Sequence, residues 1–344
     1  MNIKFEIQNP RILQVSKDLI DGRFFIRDCQ KHNGYIKEFS NDLSGVFFSI
    51  LYDIDIIKHN VDKNIKRIDF DDSSDIKQVE SGIDINYDAD TNGNSNPIQI
   101  DQRNEITFKN TSAFKFDFGF RSSGKNTTIT RKDEIYSFVK VKNRISITAD
   151  YEAINYKFWT YDWRVSFEDG DKYSTWDSKG YKRKFFKIAG SIYPSDFLKI
   201  NTQFRVREES EWLNWIDGNK LASYDLQQKT ISIDLNWFKD NKHEIRLKSQ
   251  FVALEADNPR SLLSDFNGYL KQGASDVKPF TKGVASFQLR YKYEIAPLSN
   301  LYLVYSKGGD DYDDEIDRNT SEIFRSPWEN PSDEIFSVKF RLRY

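Results

Sequence analysis

The chain is poor in the residues that staple or metallate a small fold. Among 344 residues there is one cysteine, Cys29, and there are three histidines, His32, His59 and His243. A lone cysteine makes no intrachain disulfide framework and no multi-cysteine zinc site. The histidines stand far apart and show no metal-ligand spacing, so neither a metal nor a cofactor is assigned. Charge of one sign is also missing: 51 Lys+Arg face 53 Asp+Glu, a net charge of −2, and nothing in that balance attracts nucleic acid. No run of about 18 apolar residues occurs, which excludes a transmembrane helix. A membrane β-barrel is not excluded, because each spanning strand needs only about 9–11 residues with every second one apolar. The mean hydropathy of −0.69 is neutral on that point.

What the chain has in quantity is aromatic side chains, 27 Phe, 18 Tyr and 7 Trp, enough apolar surface to fold and to exclude global disorder. They recur with period two. In Phe114-Lys115-Phe116-Asp117-Phe118-Gly119-Phe120-Arg121 four rings alternate with polar or small residues, which a helix would scatter around its circumference. Ile231, Ile233, Leu235 and Trp237 precede the turn Lys239-Asp240-Asn241-Lys242 and are followed by Ile245, Leu247, Ser249, Phe251 and Ala253, a hairpin. Similar units run from Ile188 to Val206, turning at Tyr193-Pro194-Ser195-Asp196, and from Phe287 to Tyr305, turning at residues 296–300. Segments 207–222, 256–282 and 306–334 read as long polar loops.

The expectation is therefore an all-β fold, an antiparallel transmembrane β-barrel of about 12–16 strands with short turns on one side and long polar loops on the other. We expect one domain over residues 1–344, with 111–344 carrying the clear strands and 1–110 divergent. Within that first part Val46 to Ile57 reads as a strand and Asp71 to Asn104 as a long loop. The opening Met1 to Ile7 alternates like a strand and lacks the apolar core of a secretory signal, so any export signal is expected to lie outside this chain.

Polar positions of the late strands are basic: Arg205 and Arg207, Arg246 and Lys248, Arg290 and Lys292, then Lys339, Arg341 and Arg343. On a soluble sheet these form a solvated face. In a barrel they line the lumen, because a charge facing lipid at the midplane costs about 2–4 kcal/mol, and they are the candidate binding residues for an anionic solute. The acidic stretch 310–315 is a candidate to fold inward and neutralise them; as a Ca²⁺ loop it lacks the EF-hand Gly and Glu spacing. Trp212 and Trp215 offer sugar stacking, an interfacial belt or plain loop packing. No G-x-S-x-G, P-loop or H-E-x-x-H occurs, and no catalytic residue is assigned.

The last strand, Phe336 to Tyr344, ends on an aromatic residue with Phe340 and Leu342 at alternate positions before it. It resembles the C-terminal signal by which bacterial outer-membrane barrels are recognised for assembly. From about Tyr193 onward the chain resembles a bacterial family: the C-terminal barrel domain of unknown function that follows a family 9-like carbohydrate-binding module. The resemblance is carried by Tyr193-Pro194-Ser195-Asp196-Phe197-Leu198, Glu211-Trp212-Leu213, Leu235-Asn236-Trp237-Phe238, His243 to Lys248, Leu289 to Leu301, Leu303 to Gly309 and the closing Lys339 to Tyr344. It implies a Gram-negative outer-membrane location, with outer-membrane lipid and the barrel-assembly machinery as partners; the family has no established activity and no catalytic residues to carry over, and a saccharide or anionic solute is the ligand expected for the basic polar face. The signal peptide and sugar-binding module of the pattern are not in this sequence, which therefore looks like a truncated or split member. The expected function is a pore, surface-binding or anchoring component handling saccharides or other envelope solutes. A soluble β-sandwich carbohydrate-binding module and a barrel hydrolase with loop carboxylates are the alternatives.

Overall fold

A computed structural model of the chain describes residues 57–344 apart from 72–73, 90–95, 128, 130–137, 154–155, 171–172, 174–179, 315–317 and 344. The strands are β1 (Ile57–Asp69), β2 (Ile76–Ala89), β3 (Gln99–Phe108), β4 (Ala113–Arg121), β5 (Gly124–Asn126), β6 (Val139–Val141), β7 (Arg144–Glu152) and β8 (Trp159–Gly170). They continue as β9 (Tyr181–Ser195), β10 (Leu198–Asp217), β11 (Lys220–Phe238), β12 (His243–Ser264), β13 (Leu270–Gln272), β14 (Phe280–Ala296), β15 (Ser299–Asp313) and β16 (Asp333–Arg341). Among the described residues one helix, α1 (Thr320–Glu329), lies between β15 and β16. Fourteen strands among the described residues form a single antiparallel sheet in which each main strand pairs with its sequence neighbours; β5 and β6 form a separate hairpin, and β1 and β16 stand at the two ends of the strand order.

The period-two pattern explains this register. Through the middle of the sheet, apolar residues of one strand meet apolar residues of the next on the same face. Phe118 faces Ile147 and Ile147 faces Phe167. Ile188 faces Phe204, Phe204 faces Ile231, and Ile231 faces Phe251. Leu247, Leu289, Tyr305 and Phe336 continue the band to β16. This apolar face is the more accessible one: Phe118 is 45% exposed, Ile188 44% and Phe340 63%, whereas Arg183, Phe185 and Lys187 on the opposite face of β9 are only partly exposed. A water-soluble sheet has the reverse arrangement.

The rim of the band at the short turns is aromatic. Tyr156 stacks on Trp159 with ring centroids 4.6 Å apart, Trp159 on Tyr161 at 5.4 Å, and Tyr151 on Trp163 at 6.2 Å. His243 stacks on Tyr293 at 4.7 Å further round the same rim. The turns here are short: Asp196-Phe197 joins β9 to β10, residues 239–242 join β11 to β12, and Pro297-Leu298 joins β14 to β15, with Leu298 at φ 64. Long connections, 122–143, 171–180, 265–279 and 314–332, gather at the other end. The β9–β10 turn thus falls two residues later than the sequence suggests, because Tyr193 to Ser195 still belong to the strand.

Several expected loops are strands. Residues 71–104 hold β2 and most of β3, since Val79, Ile83, Ile85 and Tyr87 alternate with Glu80, Asp84 and Asn86; the segment is polar because its other face is. Residues 207–222 continue β10 to Asp217, turn through Gly218-Asn219 with Gly218 at φ 47, and enter β11. Likewise β12 runs to Ser264 and β15 to Asp313. The candidate strand Val46 to Ile57 lies outside the described residues except for Ile57, as does the opening Met1 to Ile7.

The helix α1 is also new. Asn319 caps it, its Oδ1 accepting the Glu322 N–H at 3.0 Å while Glu322 Oε2 accepts the Asn319 N–H at 3.0 Å, a capping box. It packs on the apolar face, where Trp328 meets Phe287 at 5.5 Å and Phe251 at 6.1 Å and Lys307 Nζ lies 4.6 Å from the Trp328 ring. Pro327 lacks the N–H that would bond Ile323, and that carbonyl oxygen closes on Gly283, where any Cβ would collide with it. Replacing Gly283 with Val is expected to lift α1 from the sheet at a cost of about 1–3 kcal/mol, read as a shift in Trp328 emission; unchanged emission would show that the contact is dispensable.

Docking of α1 is also expected to be acid-sensitive. The Ser326 hydroxyl and the Arg318 guanidinium, 2.7 Å away, hold the Asp311 carboxyl below the usual carboxylate range. A carboxyl with a lowered folded-state pKa stabilises above its unfolded value, near 4, and loses that contribution as pH falls through the folded value. Trp328 quenching should therefore be flat above about pH 5 and change below about pH 4, and Asp311→Asn should abolish that acid step.

Candidate functional site

The polar face gathers the sequence-predicted cations but does not merge them into one sector. Arg205 and Arg207 lie on β10, Arg246 and Lys248 on β12, Arg290 and Lys292 on β14, and Lys339 and Arg341 on β16. Arg246 is directly opposite Arg290, Lys248 opposite Asp234 and Gln288, and Lys339 opposite Tyr302. Between these groups β11 contributes Gln228 and Thr230 and β15 contributes Tyr302 and Val304. Arg343 follows β16, its backbone N–H donating to Ser299 Oγ at 3.1 Å. Phe340 and Leu342 are exposed, Phe340 on the apolar face of β16, and Tyr344 lies outside the described residues.

Like charges placed opposite repel, and here a buried carboxylate answers them. Glu244, its side chain 10% exposed, pairs with Arg246, with Arg290 Nη2 at 3.4 Å and with Lys292 Nζ at 3.9 Å. Arg207 Nε donates to Glu209 Oε2 at 2.9 Å, and the Glu209 side chain is fully buried. The acidic stretch does not serve this purpose. Asp310 pairs with Lys282 at 2.9 Å, Asp311 and Asp313 with Arg318 at 2.7 and 3.6 Å, and Asp314 with Lys278 at 3.6 Å. These residues continue β15 rather than fold inward, and Glu315 is outside the described residues.

A second carboxylate cluster went unnoticed in the sequence. Glu168 on β8, 7% exposed, faces three guanidinium groups: Arg121 Nη1 at 3.3 Å, Arg144 Nη1 at 3.9 Å and Arg183 Nη1 at 3.8 Å, from β4, β7 and β9. The Tyr181 hydroxyl donates to Glu168 Oε2 at 2.9 Å. Strand parity was the available signal, since Arg121 alternates with the rings of Phe114 to Phe120 and must share their opposite face. Trp212 and Trp215 are occupied locally. Trp212 packs against Tyr224 at 6.0 Å beside Ala222, Ala256 and Phe280, and Trp215 Nε1–H donates to the Gly218 carbonyl at 2.9 Å.

Comparison with known proteins adds a family. A family model described as a domain of unknown function (DUF5916) matches residues 41–344, reaching well N-terminal of the residues that carry the resemblance noted above. No curated protein and no solved structure matches the chain.

The ion clusters make a stability prediction. Removing the carboxylate from Glu168 leaves three guanidinium groups facing one another, and losing one side of a buried ion pair costs about 3–5 kcal/mol. Glu168→Gln should thus lower the unfolding midpoint in denaturant far more than Glu105→Gln, whose contact with Lys115 at 3.8 Å is solvent-exposed. Equal midpoints would mean that the cluster is screened by water.

Proposed function

We propose, for a chain that belongs to the DUF5916 family, that it is a β-barrel of the Gram-negative outer membrane whose polar face handles saccharides or other small envelope solutes. The observation that carries this reading is the inverted exposure of the sheet: a continuous apolar band on the accessible face, bounded at the short-turn rim by stacked Tyr and Trp. Lipid is the solvent that such a face suits, and aromatic girdles suit the boundary between hydrocarbon and headgroups. Polar side chains then line the interior, where water remains. The export signal and a sugar-binding module encoded upstream are part of the same reading, as is recognition of the closing strand with Phe340, Leu342 and Tyr344 by the barrel-assembly machinery.

The test is membrane insertion. Placing Arg at position 118 puts a charge in the middle of the band at a cost of about 2–4 kcal/mol, so Phe118→Arg should reduce the membrane-inserted fraction severalfold, whereas Lys115→Arg on the polar face should not. A wild-type chain that is monodisperse in buffer without detergent would overturn the proposal. Planar-bilayer recordings then separate two roles: stepwise conductance marks a pore, and silent insertion marks an anchor.

A further inference from the structure

On the polar face near the long-connection end there is a depression whose origin is a local change in side-chain size. Two rows of residues cross the sheet there. One runs Asp101, Gly119, Ser146, Glu168, Arg183, and the next runs Arg103, Asp117, Thr148, Ser166. In the middle of both rows, where neighbouring rows carry long charged side chains, stand Gly119, Ser146, Thr148 and Ser166. They leave a cavity of about 220 Å³ with a hydroxyl floor, in which Thr148 Oγ1–H donates to Ser166 Oγ at 3.0 Å. A Cβ at position 119 would collide with Ser146 Oγ and approach Asp101 Oδ1 to 2.8 Å, so glycine is what lets this floor close.

The rim is charged and two-sided. On one side Arg121, Arg144 and Arg183 converge on the carboxylate of Glu168, and Arg121 also feels the charge of Asp101 in the adjoining row. Arg121 and Arg183 keep about a third of their side-chain surface open. On the other side are Asp101 and Asp117, while Arg103 is engaged by Asp84 at 2.8 Å. A neutral sugar offers the guanidinium groups no anionic acceptor, and a compact dianion such as phosphate meets the two aspartates. A singly charged carboxylate bearing several hydroxyls satisfies both sides: guanidinium groups donate to its carboxylate, and its hydroxyls donate to Asp101 and Asp117. The volume, below the roughly 300–1,000 Å³ of drug-sized pockets, suits one sugar ring.

We infer that this depression, formed by Gly119, Ser146, Thr148 and Ser166 and rimmed by Arg121 and Arg183, is a binding cup for a small hydroxylated carboxylate of the sugar-acid class. The inference rests on the solute-handling reading and gives it a substrate class.

Calorimetric titration of the full chain with glucuronate, glucose and inorganic phosphate, in detergent where the chain needs it, tests the cup. Glucuronate should bind at least tenfold more tightly than either of the others. Arg183→Gln should weaken glucuronate at least tenfold, and Ser166→Leu, which fills the floor, should abolish binding. Arg325→Gln, an exposed guanidinium on α1 that is paired with Glu329 at 3.2 Å, should leave binding unchanged. Glucose binding as tightly as glucuronate, or Arg183→Gln and Ser166→Leu both behaving as wild type, would overturn the inference. Gel mobility before and after heating reports folding of each variant, and should one fail to fold the other decides. A chain that requires detergent yet takes up no glucuronate overturns the cup alone. One that is monodisperse without detergent overturns the membrane reading, and the same titration in buffer still decides the cup.

Discussion

Register is the constraint on which the rest of this structure depends. With a side-chain period of two, a slip of one residue between any pair of strands would send an entire strand's rings to the polar face. From the β2–β3 pair to β16 the register shifts fall away from the middle of the apolar band: Ile76/Gln78, Leu198/Ile200 and Glu294/Ala296 toward the short turns, Trp215/Asp217 and Ser223/Asp225 toward the long connections, and Glu209/Trp212 about two-thirds of the way along β10. Between them the ladders run unbroken through the apolar band. Bulges add local twist and re-aim side chains, so keeping them out of the middle of the band lets the sheet bend elsewhere while the residues of the band keep their face.

Beyond the band the solvent logic of the strands reverses. Strands of 20, 19 and 22 residues, β10 to β12, are about twice what a bilayer crossing uses. In their distal halves most large apolar side chains are covered, although Ile216 stays exposed. Leu213, Leu221, Leu262 and Leu270 are buried in a cluster with Val139 and Val141 of the β5–β6 hairpin and with Tyr173. That is how a sheet behaves in water. The same three strands thus expose their rings in one half and bury their leucines in the other. The helix α1 covers the apolar face where the two regimes meet, with Trp328 turned to the band and Arg318 to the distal carboxylates. The β5–β6 hairpin covers the distal leucines, and the change of rule along the strands fits the proposed passage from hydrocarbon to water.

Legibility in the sequence follows the same division. Inside the band one face is uniformly apolar, so Phe114 to Phe120 and Ile231 to Ala253 announce themselves and their hairpin partners. In the distal halves that contrast fades. Val206 to Ile216 mixes Glu208, Glu209 and Glu211 with Trp212 and Leu213 because a bulge rotates the strand there, and a period-two reading breaks where the structure does not. The segment around β2 fails for another reason: its apolar residues are few and its second face is charged, so average polarity masks alternation. The basic residues on the polar face were legible as a set, but their compensation was not. Glu244 lies within four residues of Arg246 and Lys248 and still gave no sign, and the partners of Glu168 come from three strands that only the register brings together.

Those compensations decide what the polar face can be. Cations alone, at the spacing that β10, β12, β14 and β16 impose, would repel across the ladder, and desolvated charges without partners are costly. The fold instead places one nearly buried carboxylate at the centre of each group, Glu244 among Arg246, Arg290 and Lys292, and Glu168 among Arg121, Arg144 and Arg183. Each carboxylate fixes the orientation of its arginines but cannot saturate them, since one guanidinium alone carries five donors. The unspent donors are held in place, partly shielded from bulk water, where a hydrogen bond to an ionised group is stronger than at an open surface. Around Glu244 the neighbouring positions carry the long side chains of Arg246, Arg290 and Lys292. Around Glu168 they carry a glycine and three hydroxyls, and there the polar face combines preorganised cations with room for a solute.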